Sequence, residues 1–156
     1  MSPLSRSRRR GLSLIEIVVV VTVLAIVAAV GGTRYVDSLA LHRVRGTARR
    51  IAADLETARN VARSRSLPVS ISFDAAANRY TIVGIANPDH PSAVNSVELA
   101  DGPLQSDLTA AAFGGDATIV FNAFGMPDSG GTLTVQSGGA TQTVAVIAGT
   151  GAVTIP

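Results

Sequence analysis

Glu16 is a carboxylate set inside a greasy stretch: it follows Leu12-Ser13-Leu14-Ile15 and precedes an apolar run from Ile17 to Val30 broken only by Thr22. A carboxylate in a membrane-spanning segment costs roughly 2.5–3.5 kcal/mol on insertion scales, so an acid placed there points to a function. The chemistry it offers is charge pairing, and it needs a cation. The run from Ile17 to Val30 supplies none. A cut after Gly11 would turn the amino group of Leu12 into that cation. It would lie about one helical turn away, on the same helix or on a neighbouring copy.

Other chemistry-bearing residues are sparse. Catalysis calls for a nucleophile beside a base, paired carboxylates or a metal cluster. The chain has two histidines: His42, on an arginine-rich stretch, reads as a surface residue, and His90 lies in a loop between Asp89 and Pro91. Asp89 and His90 fall short of the three or four protein ligands a zinc site requires. Gly149-Thr150-Gly151 lacks the strand-to-helix context of a phosphate loop and reads as a turn, as do Gly130-Gly131 and Gly138-Gly139. The expectation is a non-enzyme with no catalytic residue, no cofactor and no metal site.

Glu16 needs a helix to hold it. Leu12–Gly32 spans 21 residues, which at about 1.5 Å each gives about 31 Å, the thickness of a bilayer's hydrocarbon core. Arg6, Arg8, Arg9 and Arg10 precede this span, so the positive-inside rule puts the N-terminus in the cytoplasm and everything after Gly32 outside. In a Gram-negative envelope that is the periplasm. Of 156 residues, removal of the first 11 leaves 145, enough for one anchor and one small domain. With no cysteine, no disulfide staples that domain.

Beyond the span, Leu41, Val44, Ala48, Ile51, Leu55, Ala58 and Ala62 recur in alternating steps of three and four. That is the period of an amphipathic helix with one buried seam. Pro68 closes it, because it disfavours helical backbone at Leu67. Gly31-Gly32 and Gly46 are its weak points, each costing about 1 kcal/mol, and a kink or unwinding is expected at Gly31-Gly32. Strands follow: Val69–Phe73 and Arg79–Val83 form a hairpin around Asp74–Asn78, and Ala117–Phe121, Thr132–Gln136, Thr141–Ile147 and Ala152–Ile155 come later. Residues 84–116, with Pro88, Pro91 and Pro103, read as irregular loop around one strand at Ser96–Ala100. The fold class is α+β, a long helix packed on an antiparallel sheet.

Charge is lopsided. Residues 1–65 carry twelve arginines and four acids, a balance of +8, whereas residues 66–156 carry Arg79 against seven acids, a balance of −6. A basic stripe runs along Arg43, Arg45, Arg49, Arg50, Arg59, Arg63 and Arg65, with Arg50–Asp54 and Glu56–Arg59 spaced for local ion pairs. It reads as a solvated helix face, with anionic lipid or nucleic acid as the sharper alternative. The acidic C-terminal region argues against a nucleic-acid partner, which would need Lys/Arg contacts to phosphates.

The string Gly11-Leu12-Ser13-Leu14-Ile15-Glu16 behind an arginine-rich leader resembles the class III signal of type IV prepilins and type II secretion pseudopilins. The family's usual string is G-F-T-L-x-E; Leu12 and Ser13 replace the commoner Phe and Thr. The resemblance implies a prepilin peptidase that cuts between Gly11 and Leu12 and N-methylates Leu12, with Glu16 pairing charges during assembly. An ordinary secretory signal cleaved near Ala28-Ala29, or a twin-arginine signal at Arg9-Arg10, shares the general plan. Neither explains an acid six residues after Arg10. Residues 49–74, and 119–135 with Phe121 and Gly125, resemble the H-type minor pseudopilins and the FimT-like minor pilins, as does the Gly149-Thr150-Gly151 turn. Ala152 stands where that group often has arginine.

The implied organisation is a leader (1–11), a transmembrane and assembly helix (12–32), an amphipathic helix of a pilin-like head (33–67) and a β-rich periplasmic head (68–156). The implied function is a minor pseudopilin of a type II secretion pseudopilus, involved in protein secretion across the outer membrane. The alternative is a FimT-like minor pilin serving pilus biogenesis or DNA uptake. Expected partners are other pseudopilins or pilins, the prepilin peptidase, the inner membrane and its assembly platform.

Overall fold

The structure, a computed structural model, describes residues 13–87 and 90–156, and for residues 29–35 the backbone alone. The Gly11–Leu12 cleavage and methylation position lies outside the described residues. The chain divides into two units, Met1–Val36 and Asp37–Pro156.

One helix, α1 (Leu14–Arg65), runs for 52 residues. Its helical backbone continues through Gly31-Gly32, so the local unwinding expected there is absent. Two glycines cost about 2 kcal/mol together, less than opening the surrounding ladder of hydrogen bonds. At the other end Ser66 takes a left-handed conformation (φ 52°) and the Leu67 amide donates to the Ala62 carbonyl at 3.2 Å. This is the Schellman stop, reached two residues before Pro68.

In the first unit, α1 begins after Ser13, whose carbonyl accepts from the amides of Glu16 (3.0 Å) and Ile17 (3.2 Å). Every large apolar side chain from Leu14 to Val27 is between 51% and 80% exposed. Among the described residues, no helix is long and apolar enough to cross a membrane.

In the second unit, α1 lies on two four-stranded antiparallel sheets where the sequence suggests one. The first contains β1 (Val69–Asp74), β2 (Arg79–Val83), β3 (Asn95–Glu98) and β5 (Thr118–Phe121), in the order β3-β2-β1-β5. The second contains β4 (Asp107–Phe113), β6 (Gly131–Ser137), β7 (Ala140–Val146) and β8 (Val153–Thr154), in the order β4-β6-β7-β8. Residues 84–116 are therefore less irregular than expected. Besides β3 they hold β4, whose Ala110-Ala111-Ala112 run has low strand propensity and whose register shifts between Leu108 and Ala110. The bulge lets Leu108 and Phe113, five residues apart, both point inward, which hides the period-two pattern from a sequence scan.

The core joins Val44, Ala48, Ile51, Leu55, Ala58 and Ala62 of α1 to inward residues of both sheets, including Phe73, Tyr80, Phe113, Phe121 and Leu133. The expected seam is right from Val44 onward and wrong at its start. Leu41 is 37% exposed and Ala40 takes the buried position, because a Cβ on Gly138 in the β6–β7 turn would sit only 3.2 Å from the Ala40 Cβ.

Candidate assembly surfaces

Glu16 sits in the first turn of α1 and is exposed. A carboxylate there faces unpaired amides and the positive end of the helix dipole, worth about 0.3–1 kcal/mol at an exposed site. Ser13-x-x-Glu16 is also the spacing of a capping box, a local signal that sequence reasoning about charge overlooked. Both effects are smaller than the cost of placing an acid in hydrocarbon. The Thr22 hydroxyl donates its proton within the helix, to the Val18 carbonyl at 2.7 Å, and keeps only acceptor capacity for a neighbour.

Among the described residues the neighbours of Glu16 along α1 are mostly apolar, and Glu16, Ile17, Val20 and Val21 line a groove of about 220 Å³. A helix that is apolar all round is stable only when lipid or other protein covers it. Its small β-branched side chains leave shallow grooves into which a second such helix can fit. The described side chains of the first unit, residues 13–28, are exposed.

Much of the basic stripe on the second unit is already employed. Arg50 Nε lies 3.9 Å from Asp54 Oδ2. Arg59 Nε donates to the Gly125 carbonyl at 3.3 Å, and Arg65 Nη1 reaches the Gly84 carbonyl at 3.4 Å. The expected Glu56–Arg59 pair is not among the ion pairs of the described residues, because Arg59 turns instead toward Gly125. Arg45 and Arg49 remain exposed beside Gln142 and Pro156. His42 and His90 are both exposed, and the His90 amide donates to Asn87 Oδ1 at 3.2 Å. Asp89 lies outside the described residues.

Two sites that sequence reasoning did not connect meet at the end of α1. A Cβ on Gly125 (φ +73°) would lie 2.4 Å from Cγ and Cδ of Arg63, and one on Gly151 (φ +65°) would lie 3.2 Å from the Gly125 carbonyl and 3.3 Å from Arg59 Nε. The Phe121-x-x-x-Gly125 element and the Gly149-Thr150-Gly151 turn thus close over one patch of helix. Their left-handed backbone and this close approach explain both glycines. Deeper in the head, the Tyr80 hydroxyl donates to Asp54 Oδ2. Burial above all, and then Asp54, hold the Tyr80 pKa far above its ordinary value near 10.

The sequence model of the family described as "Type II transport protein GspH" matches residues 47–151. This chain belongs to the GspH family. A second model, the prokaryotic N-terminal methylation motif, matches residues 6–32 and so includes Gly11, Leu12 and Glu16. Like others of its family the GspH-family chain is a structural pilin-type subunit, made to assemble with other pilins after processing at its N-terminus. Its fold is similar to that of the minor pseudopilin EpsH from the type 2 secretion system of Vibrio cholerae, with a TM-score of 0.54 and 14% identity over 73% of this chain and 96% of that one. It is also similar to the type IV minor pilin FimU of Pseudomonas aeruginosa, with a TM-score of 0.52 and 15% identity over 74% of this chain and 89% of that one. No curated protein sequence matches the chain. At these identities the two structures speak for the fold, an N-terminal helix packed on antiparallel sheet, and the assignment to the family rests on the sequence model.

Proposed function

We propose that this chain is a minor pseudopilin, a non-enzymatic subunit of the periplasmic pseudopilus that moves folded proteins across the outer membrane. The observation that carries this reading is the pairing, on one chain, of a GspH-type head with an N-terminal methylation motif. In this reading Leu12–Gly32 anchors the precursor in the inner membrane, and the prepilin peptidase cuts after Gly11 and methylates Leu12. The assembly platform then draws the helix out of the bilayer into a bundle of similar helices. Apolar side chains exchange lipid for protein and remain out of water. Glu16 neutralises the amino terminus of an adjacent subunit, and because an unpaired buried charge is heavily penalised, only the correct register is stable.

Processing and pairing are tested together in the host membrane. Mass spectrometry should find methylated Leu12 as the first residue, and replacing Gly11 by a bulkier residue should leave the longer precursor in the membrane. Glu16→Ala should insert and be cut normally yet be missing from the sheared filament fraction. Normal incorporation of that variant would remove Glu16 from the mechanism, and a mature terminus beyond Ala28 would end the pilin reading.

The second reading, a minor pilin of a type IV pilus, draws on the comparable likeness to FimU. Loss of exoprotein secretion in a strain lacking the gene supports the first reading, and loss of surface pili with secretion intact supports the second. DNA uptake is disfavoured by the −6 balance of residues 66–156. Salt-sensitive micromolar retardation of DNA by the head would reverse that ranking.

A further inference from the structure

We propose that the free edge of β3 is a docking strip for an extended segment of a neighbouring, non-identical pilin-type subunit, which joins the first sheet as a further strand. The inference rests on the filament reading and adds to it a surface and a mode of contact. β3 lies at one end of the order β3-β2-β1-β5, with Val97 opposite Tyr80 and Asn95 opposite Ile82. The Leu99 amide donates to the Asn78 carbonyl at 3.0 Å, one step beyond the Arg79–Glu98 pair. Bonded and non-bonded pairs alternate along an antiparallel ladder. Asn95 and Val97 therefore bond to β2, and Ser96 and Glu98 turn their backbone groups outward. The Ser96 amide is taken by the Val94 carbonyl at 3.0 Å. The Ser96 carbonyl and both backbone groups of Glu98 have no partner among the described residues. The Ser96 hydroxyl oxygen is buried and has none there either.

The other sheet edges are blunted. On β5 the outward Val120 amide donates to Asp128 Oδ1 at 3.1 Å, and the Val120 carbonyl accepts from the Asp128 amide at 2.9 Å. The Thr118 amide donates to Asp116 Oδ1 at 2.8 Å. β4 is bulged between Leu108 and Ala110, and β8 has only two residues. Such devices keep a sheet from pairing with unintended strands. β3 has none of them: its four residues keep regular register, without proline or lysine, and Glu98 is its one charge. Beside it, Ile82, Ile85 and Val97 on one side and Arg50, Asp54 and Thr57 of α1 on the other line an open groove of about 230 Å³. Asp54 is already met by Tyr80 and Arg50, so what the groove lacks is an apolar filling. A strand paired to β3 points alternate side chains the same way as Val97. It lays an apolar side chain over the groove while its backbone meets Ser96 and Glu98, so pairing supplies affinity and the groove supplies selection. A helix in the groove would leave the outward backbone groups unmet. A second copy would offer β3 either a blunted edge or another β3, and the latter closes into a two-fold dimer instead of joining a filament. The occupant is therefore a different subunit.

Glu98→Pro removes the outward amide and takes nothing from the β2 ladder, so it isolates the edge. Full-length Glu98→Pro and Glu98→Ala are compared with the unchanged chain in the host. All three should be processed and held in the membrane alike. Glu98→Ala should enter the sheared filament fraction as the unchanged chain does, and Glu98→Pro about tenfold less or lower still. With photoreactive p-benzoylphenylalanine in place of the exposed Val94, irradiated filaments should give adducts on an extended segment of a different pilin-type subunit, located by mass spectrometry. In heads comprising residues 37–156, a compact unit with its own core, both Glu98 variants should share one urea midpoint. There the Glu98 amide should exchange with solvent at least about tenfold faster than that of Val97. Four results would each overturn the docking strip: normal incorporation of Glu98→Pro, a Glu98 amide as protected as that of Val97, a lower midpoint for Glu98→Pro than for Glu98→Ala, or adducts on a second copy or on a partner's helix. Absence of the unchanged chain from the filament fraction would instead remove the filament reading, and this inference with it. Normal incorporation of all three chains would remove the edge alone.

Discussion

Two carboxylates in this chain do opposite work. Glu16 is exposed among apolar side chains and looks outward for a cation, whereas Asp54 is satisfied within its own head by the Tyr80 hydroxyl and Arg50. Tyr80 is fully buried, and its pKa is raised chiefly by that burial and next by Asp54. A pKa raised on folding means stability that is complete below the unfolded value, near 10, and is lost as pH climbs above it. Tyr35 is the only other tyrosine, so a head comprising residues 37–156 reports on Tyr80 alone. Its tyrosinate absorbance should stay absent near pH 10 and appear only as the head unfolds at higher pH. Titration at the ordinary value in a folded head would contradict the buried hydrogen bond. Tyr80→Phe leaves Asp54 without its donor and should cost about 1–3 kcal/mol in urea denaturation.

The elements explain where substitutions will hurt. Leu55 and Ala58 are both fully buried on the seam of α1, but they fail in different ways. Leu55→Ala opens a cavity and should cost about 2–5 kcal/mol. Ala58→Leu forces the sheets away from the helix and should cost about 1–3 kcal/mol. Both should lower the denaturation midpoint of the head with little change in slope, and a near-neutral Ala58→Leu would show that helix and sheets are not closely packed there. Gly125→Ala combines left-handed backbone with a Cβ only 2.4 Å from the Arg63 side chain. It should cost about 1–2 kcal/mol from the backbone alone, and Arg63→Ala in the same chain should recover only the steric part. The hydroxyls of Thr47 and Ser106, 2.9 Å apart and buried, pin the link between the two sheets to α1. Ser106 donates onward to the Leu104 carbonyl at 2.8 Å, so this crossing is tied down despite its lack of regular structure.

Taken whole, the molecule is two units with contrasting needs. The unit Asp37–Pro156 buries a continuous core of its own, whereas the unit Met1–Val36 presents aliphatic side chains in its described part with nothing covering them. A protein comprising residues 37–156 should accordingly be soluble without detergent at micromolar concentration and unfold in one transition by near-ultraviolet circular dichroism. The full chain should require lipid or detergent. A head that unfolds in two steps would mean that its two sheets do not share one core. The charge division follows a different line, with +8 on residues 1–65 and −6 on residues 66–156. The basic part of the helix and the acidic sheets lie together in the second unit, so each head carries both signs.

The apolar period of α1, the strand alternation of β1 and β2, and the acid at Glu16 were legible in the chain because each depends on neighbours a few residues away. The processing motif was legible for the same reason, as a set of fixed offsets around Gly11. Choosing Ala40 over Leu41 for the core required the β6–β7 turn, which is distant in sequence. Recognising β4 required the bulge that reconciles Leu108 with Phe113, and the division into two sheets required the pairing of strands far apart along the chain. Arg59, Gly125 and Gly151 became one patch only when two loops closed over the end of the helix. Local periodicity is written in the spacing of residues, but burial depends on what arrives from elsewhere, and that is set when the chain folds.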